Sequence, residues 1–155
     1  MKVNGKCHCG QVTFTAEVDE SKVMLCHCTD CQVQASAAFR IGALVNSNSF
    51  SMQGEVKEYC KTASSGARRM QVFCPNCATG IYSYTPDNPA PVYSLRLGPV
   101  EQLRELRPTL QIWGRSALPW LPKLASIPCI MEQDVVGQSL KPASGGEQMQ
   151  PGRSA

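Results

Sequence analysis

Three short cysteine clusters are the residues of this chain best suited to chemistry: Cys7-His8-Cys9-Gly10, Cys26-His27-Cys28-Thr29-Asp30-Cys31 and Cys74-Pro75-Asn76-Cys77. A thiolate is a soft anionic donor, and zinc in a structural site takes four such ligands in a tetrahedron, with bonds of about 2.3 Å. A loop with two cysteines one or two residues apart supplies one edge of that tetrahedron. The C-x-C and the distant C-x-x-C make two edges, so Cys7, Cys9, Cys74 and Cys77 are expected to close one zinc site. Such a site would staple the first strand to a hairpin far along the chain.

The middle cluster is the informative remainder. Cys28 and Cys31 are three apart and face the same way in a helical turn, and Cys26 at the end of a preceding strand can converge on them. Three protein ligands and one open position are the pattern of a catalytic zinc. Three thiolates donate so much charge that the metal is a poor activator of water. It is better suited to keeping a thiol ionised near neutral pH. Cys26, Cys28 and Cys31 are therefore the candidate catalytic residues, with a small thiol as cosubstrate. The alternative is that the trio recruits His27, Asp30 or a distant residue into a second closed site, or stays empty or partly oxidised. His8 and His27 sit between ligand cysteines and are expected to point away from the metal. Cys60 and Cys129 have no cysteine neighbours and read as packing residues or free thiols.

These clusters must be positioned by something, and the pattern of the first hundred residues is that of short strands. Residues 11–17 alternate apolar and polar, with Val12 and Phe14 on one face. Similar segments lie at 22–26, 37–45, 55–60, 69–74, 80–84 and 91–97, with Gly, Asn, Ser and Pro between them. Helix is expected only from Thr29 to Ser36, after a Thr or Asp cap, and for one turn over 100–106. The expectation is a mostly β domain of one or two packed sheets over 1–130. Residues 131–155 are expected to be a flexible tail. From Gly137 onward Gly, Pro, Ser and Gln dominate, without the apolar surface that would offset ordering.

The bulk composition excludes several functions. A chain of 155 residues is one ordinary domain. Its net charge of +3 is spread without a long basic run, which argues against a nucleic-acid partner. No stretch approaches the ~20 apolar residues of a membrane span. The N-terminus lacks the apolar core of a signal peptide, so a cytoplasmic location is expected. Nine cysteines cannot all pair, and in a reducing compartment closely spaced thiols bind metal rather than form disulfides.

The motifs together resemble a known family, the glutathione-dependent formaldehyde-activating enzymes. The residues that carry the resemblance run from Gly5-Lys-Cys7-His-Cys9-Gly10-Gln-Val12 through Cys26-His-Cys28-Thr-Asp-Cys31 to Phe73-Cys74-Pro-Asn-Cys77. Leu97-Gly98-Pro-Val-Glu, Pro108, Ile112-Trp113 and Trp120 continue it. The resemblance covers about residues 4–121. It implies a β-tent of packed antiparallel sheets around a tetrathiolate zinc, and a second zinc at Cys26, Cys28 and Cys31. It also implies carbon–sulfur lyase chemistry, in which glutathione and formaldehyde combine to S-hydroxymethylglutathione. Ala78-Thr79-Gly80 and Gln71 depart from the family's usual pattern and bear on substrate identity rather than on fold or metal. His27 or Asp30 is a candidate proton relay, and Arg40, Arg68 or Arg69 is a candidate partner for a glutathione carboxylate. Two rivals remain: a zinc-stapled β module that only binds, and an enzyme for a different thiol or electrophile.

Overall fold

A computed structural model describes residues 1–63, 65–88 and 91–130. The chain divides into two compact units, Met1–Ala117 and Leu118–Ala155. The residues expected as a tail, 131–155, lie outside the described part. Among its described residues the second unit has one 3-10 turn, Leu121–Ser126, with Pro122 in its first positions.

The first unit is mostly β, built as two sheets. Its strands are β1 (Lys2–Lys6), β2 (Thr13–Glu17), β3 (Val23–Cys26), β4 (Arg40–Asn46) and β5 (Phe50–Gln53). They continue with β6 (Lys57–Thr62), β7 (Arg68–Phe73), β8 (Gly80–Tyr84), β9 (Val92–Arg96) and β10 (Leu110–Ile112). One helix, α1 (Thr29–Ala35), stands between β3 and β4. The smaller sheet is ordered β1-β2-β5 and the larger β10-β3-β4-β9-β8-β7-β6. Every pairing is antiparallel except β10 against β3.

Alternation in β1 and β2 buries Val3, Gly5, Phe14 and Ala16 and exposes their neighbours, so the small sheet offers one apolar face. That face joins one core with Val45, Val72, Ile81 and Leu95 of the large sheet and with Leu97 just past β9. Phe50 of β5 is the pivot of the interface. Its ring lies 5.7 Å from Phe14, 5.1 Å from Tyr82 and 5.3 Å from Tyr93. Tyr82 and Tyr93 stack at 4.3 Å. Aromatic pairs at these separations add to the burial term that holds the sheets together.

Sequence alternation anticipates β2, β3, β4, β6, β7, β8 and β9, with ends shifted by a few residues. It does not mark β1, β5 or β10. Strand β10 has only three residues and pairs with β3 across some eighty residues of chain. The segment 100–106 is not a helix. It is a run of three-residue turns in which Leu103, Glu105 and Leu106 N–H groups donate to Val100, Gln102 and Leu103 carbonyls. Among the described residues no helix is long and apolar enough to cross a membrane.

Candidate metal centres and the cleft beside them

Cys7 and Cys9 lie on a knuckle that follows β1. The Cys7 N–H donates to the Val12 carbonyl at 2.9 Å, and the Gly10 N–H to the Cys7 carbonyl at 2.9 Å. Gly10 closes the turn at φ +79°, where a side chain is unfavourable. A second knuckle follows β7: the Ala78 N–H donates to the Cys74 carbonyl at 2.9 Å, and the Cys74 N–H to the Thr79 carbonyl at 3.0 Å. Thr79 joins the two. Its hydroxyl accepts from the His8 N–H at 3.1 Å and lies 3.2 Å from the Cys77 sulfur. That hydroxyl and the Thr79 N–H hold the Cys77 thiol down to about 5.

The four sulfurs of Cys7, Cys9, Cys74 and Cys77 all lie within 4.8 Å of one another. Cys7 and Cys9 approach to 3.4 Å and Cys9 and Cys74 to 3.7 Å. A regular tetrahedron of bonds near 2.3 Å has sulfur–sulfur edges of about 3.8 Å. The donor set and its spacing fit a zinc ion, with no fifth side chain needed.

Cys26, Cys28 and Cys31 form a separate group, their sulfurs also within 4.8 Å of one another. Cys26 ends β3. Cys28 is the N-cap of α1, its sulfur accepting from the Cys31 N–H at 3.4 Å. Burial pushes the Cys26 thiol up and the Cys31 thiol up to about 12. Burial acts on Cys28 too, but the Cys31 N–H and the neighbouring thiols outweigh it and lower that group. Three soft donors, half-buried and close together, fit a metal ion with room for one more ligand. A fourth protein ligand is missing from this group among the described residues.

The histidines of the clusters stand outside both sulfur groups. His8 is exposed and uses its backbone. His27 is 2% exposed, its Nε2–H donating to Gln111 Oε1 at 2.8 Å and its ring edge against Phe39. Its Nδ1 has no partner. The parallel strand β10 makes this possible, because Ile112 is in register with Cys26 and accepts from the His27 N–H at 3.1 Å. Gln32 of α1 ties the helix down by donating to the carbonyls of Ser116 and Ala38. Asp30 is held in an ion pair by Lys61 of β6.

A cleft of about 960 Å³ is lined by Cys7 of the four-sulfur group and, short of the three-sulfur group itself, by residues of α1 and β4 near it. Gln34, Ala35 and Arg40 line it on the side of α1, and Cys7, His8 and Thr79 on the side of the four-thiol knuckles. Arg40 stands directly opposite Cys26 in the β3–β4 pairing. Arg68 and Arg69 lie elsewhere: both are exposed, and Arg68 is paired with Asp87 at 2.6 Å. Arg96 also reaches the cleft, although an arginine inside the apolar segment 91–97 was its only signal in the sequence. Burial and the neighbouring Arg40 lower its guanidinium to about 10. Cys60 and Cys129 are free and exposed.

Known proteins are similar to this chain. A family model described as "Glutathione-dependent formaldehyde-activating enzyme" matches residues 2–116. Over 82 residues the chain is 34% identical to an uncharacterized lyase of Schizosaccharomyces pombe, a match covering 52% of this chain and 57% of that relative. A crystal structure of a Rhodobacter sphaeroides protein superimposes with a TM-score of 0.54 at 20% identity, over 70% of this chain and 98% of the other. That likeness speaks for the fold alone. The family match spans all three cysteine clusters and both sheets, and on that ground the chain belongs to the glutathione-dependent formaldehyde-activating enzyme family.

Proposed function

We propose that this chain is a zinc-dependent carbon–sulfur lyase-type enzyme that joins a thiol, glutathione, to an aldehyde such as formaldehyde. The observation that carries the reading is the three-sulfur group of Cys26, Cys28 and Cys31, distinct from the four-sulfur group and joined to a cleft through Arg40, which lines the cleft and stands opposite Cys26. Two zinc ions are then expected, one structural at Cys7, Cys9, Cys74 and Cys77 and one at the trio. A zinc ion held by the trio would supply the positive charge that favours the ionised form of a thiol cosubstrate. The net reaction forms one sulfur–carbon bond while the thiol proton ends on the former carbonyl oxygen, giving an S-hydroxymethyl adduct.

The chain's own contribution is to bind and orient. Holding thiol and aldehyde in one cleft removes much of the entropy cost of a bimolecular encounter. The two partners also combine without help, so a modest acceleration suffices. Cys28 is fixed by its cap role on α1, and α1 by Gln32 and by the Asp30–Lys61 pair. Nine free cysteines suit a reducing compartment, the cytoplasm.

Cys28→Ser tests the reading. The variant should keep its fold, lose one of two zinc ions, and lose catalysed adduct formation. Adduct formation at the native rate would overturn the proposal. A native zinc content of one ion per chain, unchanged by glutathione, would favour a module that binds without catalysis.

A further inference from the structure

Two guanidinium groups, of Arg40 and Arg96, reach the cleft, and neither is ion-paired with a carboxylate among the described residues. In the β4–β9 pairing Gly42 stands opposite Arg96, and Arg40, two residues before Gly42, is the diagonal neighbour of Arg96 on the same face. Arg40 is in turn directly opposite Cys26. The cations therefore run in a line from the three-sulfur group into the cleft, and Gly42 puts no side chain between them.

The partners of both arginines are neutral. Arg96 donates from Nη2 to Gln71 Oε1 at 2.7 Å and from Nη1 to Ser94 Oγ at 3.3 Å. Gln71, Ser83 and Ser94 are aligned across β7, β8 and β9, so the fork of Arg96 lies along a row of uncharged polar groups. Arg40 donates to Gln34 Oε1 at 3.4 Å from both terminal nitrogens. Neither arginine takes part in an ion pair among the described residues. Along the cleft wall Lys6 adds a third cation against one acid, Glu101. The thiols of Cys26, Cys28 and Cys31 lie on one side of these partly buried cations, but a metal ion would engage them, so toward the cleft the cations are offset only when an anion arrives. A planar fork held in place by neutral groups keeps its full charge for that anion, and its geometry suits a carboxylate.

We propose that Arg96, oriented by Gln71 and Ser94 and joined by Arg40, is a carboxylate subsite of the cleft. One reaction partner is then an organic acid whose carboxylate docks here while its reacting atom reaches the three-sulfur group. The acid is either the thiol, since glutathione carries two carboxylates, or the electrophile, as a 2-oxo acid such as glyoxylate would be. The assignment of a reaction to this cleft rests on the function proposed above, but the subsite is a binding property that can be measured without turnover.

Titration calorimetry on the full, zinc-loaded chain tests it with three probes that cannot react: S-methylglutathione, its dimethyl ester, and glycolate. At least one acid should bind, and Arg96→Met should weaken that binding about tenfold or more while leaving any binding of the diester, which has lost both carboxylates and keeps only its ammonium, unweakened. Gln71→Glu is the second variant. It places a carboxylate on the Arg96 fork without removing a cation, so it should abolish acid binding while the protein stays folded. A loss confined to S-methylglutathione assigns the subsite to the thiol, and a loss confined to glycolate assigns it to the electrophile. Native-like affinity for both acids in Gln71→Glu overturns the proposal, as does a diester that binds as well as the diacid where glycolate does not bind. Absence of binding by every probe overturns it too. Failure of the catalytic reading is separate: there Cys28→Ser would leave adduct formation intact while the Arg96-dependent affinity persisted.

Discussion

The sulfur of Cys9 stands 3.7 Å from that of Cys74, a residue 65 positions later in the chain. The contact joins the knuckle that ends β1 to the knuckle that ends β7, and so connects the small sheet to the large one at a point beyond their aromatic interface. Four thiols gathered this closely repel one another once ionised, and a bound dication reverses that sign.

Cys74→Ser should therefore remove the more tightly held zinc and lower the unfolding temperature by about 10 °C or more. Zinc analysis together with a thermal melt checks both halves. A melt unchanged from native would mean that the aromatic interface alone holds the sheets.

Gly5 lies opposite Phe14 in the β1–β2 pairing, and a methyl group placed on it would fall 2.1 Å from the Phe14 ring. The ring cannot move away freely, because it is buried and stacks on Phe50. Gly5→Ala should destabilise the protein by about 1–3 kcal/mol, the usual range for overpacking. Urea unfolding of Gly5→Ala, Phe14→Leu and the double variant should show the two changes to be non-additive.

His27 makes one side-chain hydrogen bond and leaves one buried nitrogen unpaired. A hydrogen bond contributes about 1 kcal/mol net, and an unsatisfied buried polar atom costs about as much or more. His27→Leu should consequently change stability by no more than about 1 kcal/mol. A ring only 2% exposed is poorly placed to exchange protons with a substrate, so adduct formation should persist. Loss of adduct formation with the zinc content intact would restore His27 as a proton relay.

Asp19 accepts from the Ser21 hydroxyl at 2.6 Å and its N–H at 3.0 Å, and pairs with Lys22 at 2.9 Å. Hydrogen bonds from Ser21, with Lys22 beside them, lower its carboxyl to about 2 from the ordinary 3.8. Because the folded value is depressed, the stability it contributes is fully present above pH 3.8 and disappears as pH falls through about 2. The group is exposed, so the contribution is small. Asp19→Asn should leave stability at pH 7 nearly native and flatten its slope between pH 4 and pH 2, as followed by denaturant midpoints.

Much of the fold could be read from the chain because its signals are local. Alternation marked β2, β3, β4 and β6 to β9, and a helix is expected from Thr29 to Ser36 after a Thr or Asp cap, where the structure caps α1 with Cys28 instead. The turn run at 100–106 carried enough apolar residues to look helical, yet its carbonyls bond three residues on and the segment never winds into a helix. Strand β10 had only three residues to announce it, and its existence depends on β3 being available beside it.

The sequence by itself determined which side chains could serve as metal donors. Seven cysteines in three clusters are a property of residue type and spacing, and two short knuckles plus a strand–helix junction suffice to say which sulfurs can converge. Only the tertiary structure decided what surrounds them. The closeness of Cys9 to Cys74, the burial of His27 against Gln111, and the alignment of Arg40 and Arg96 beside Cys26 all arise from strand pairing between distant segments. Such pairing depends on register, and a register is a relation between two strands that neither strand contains alone.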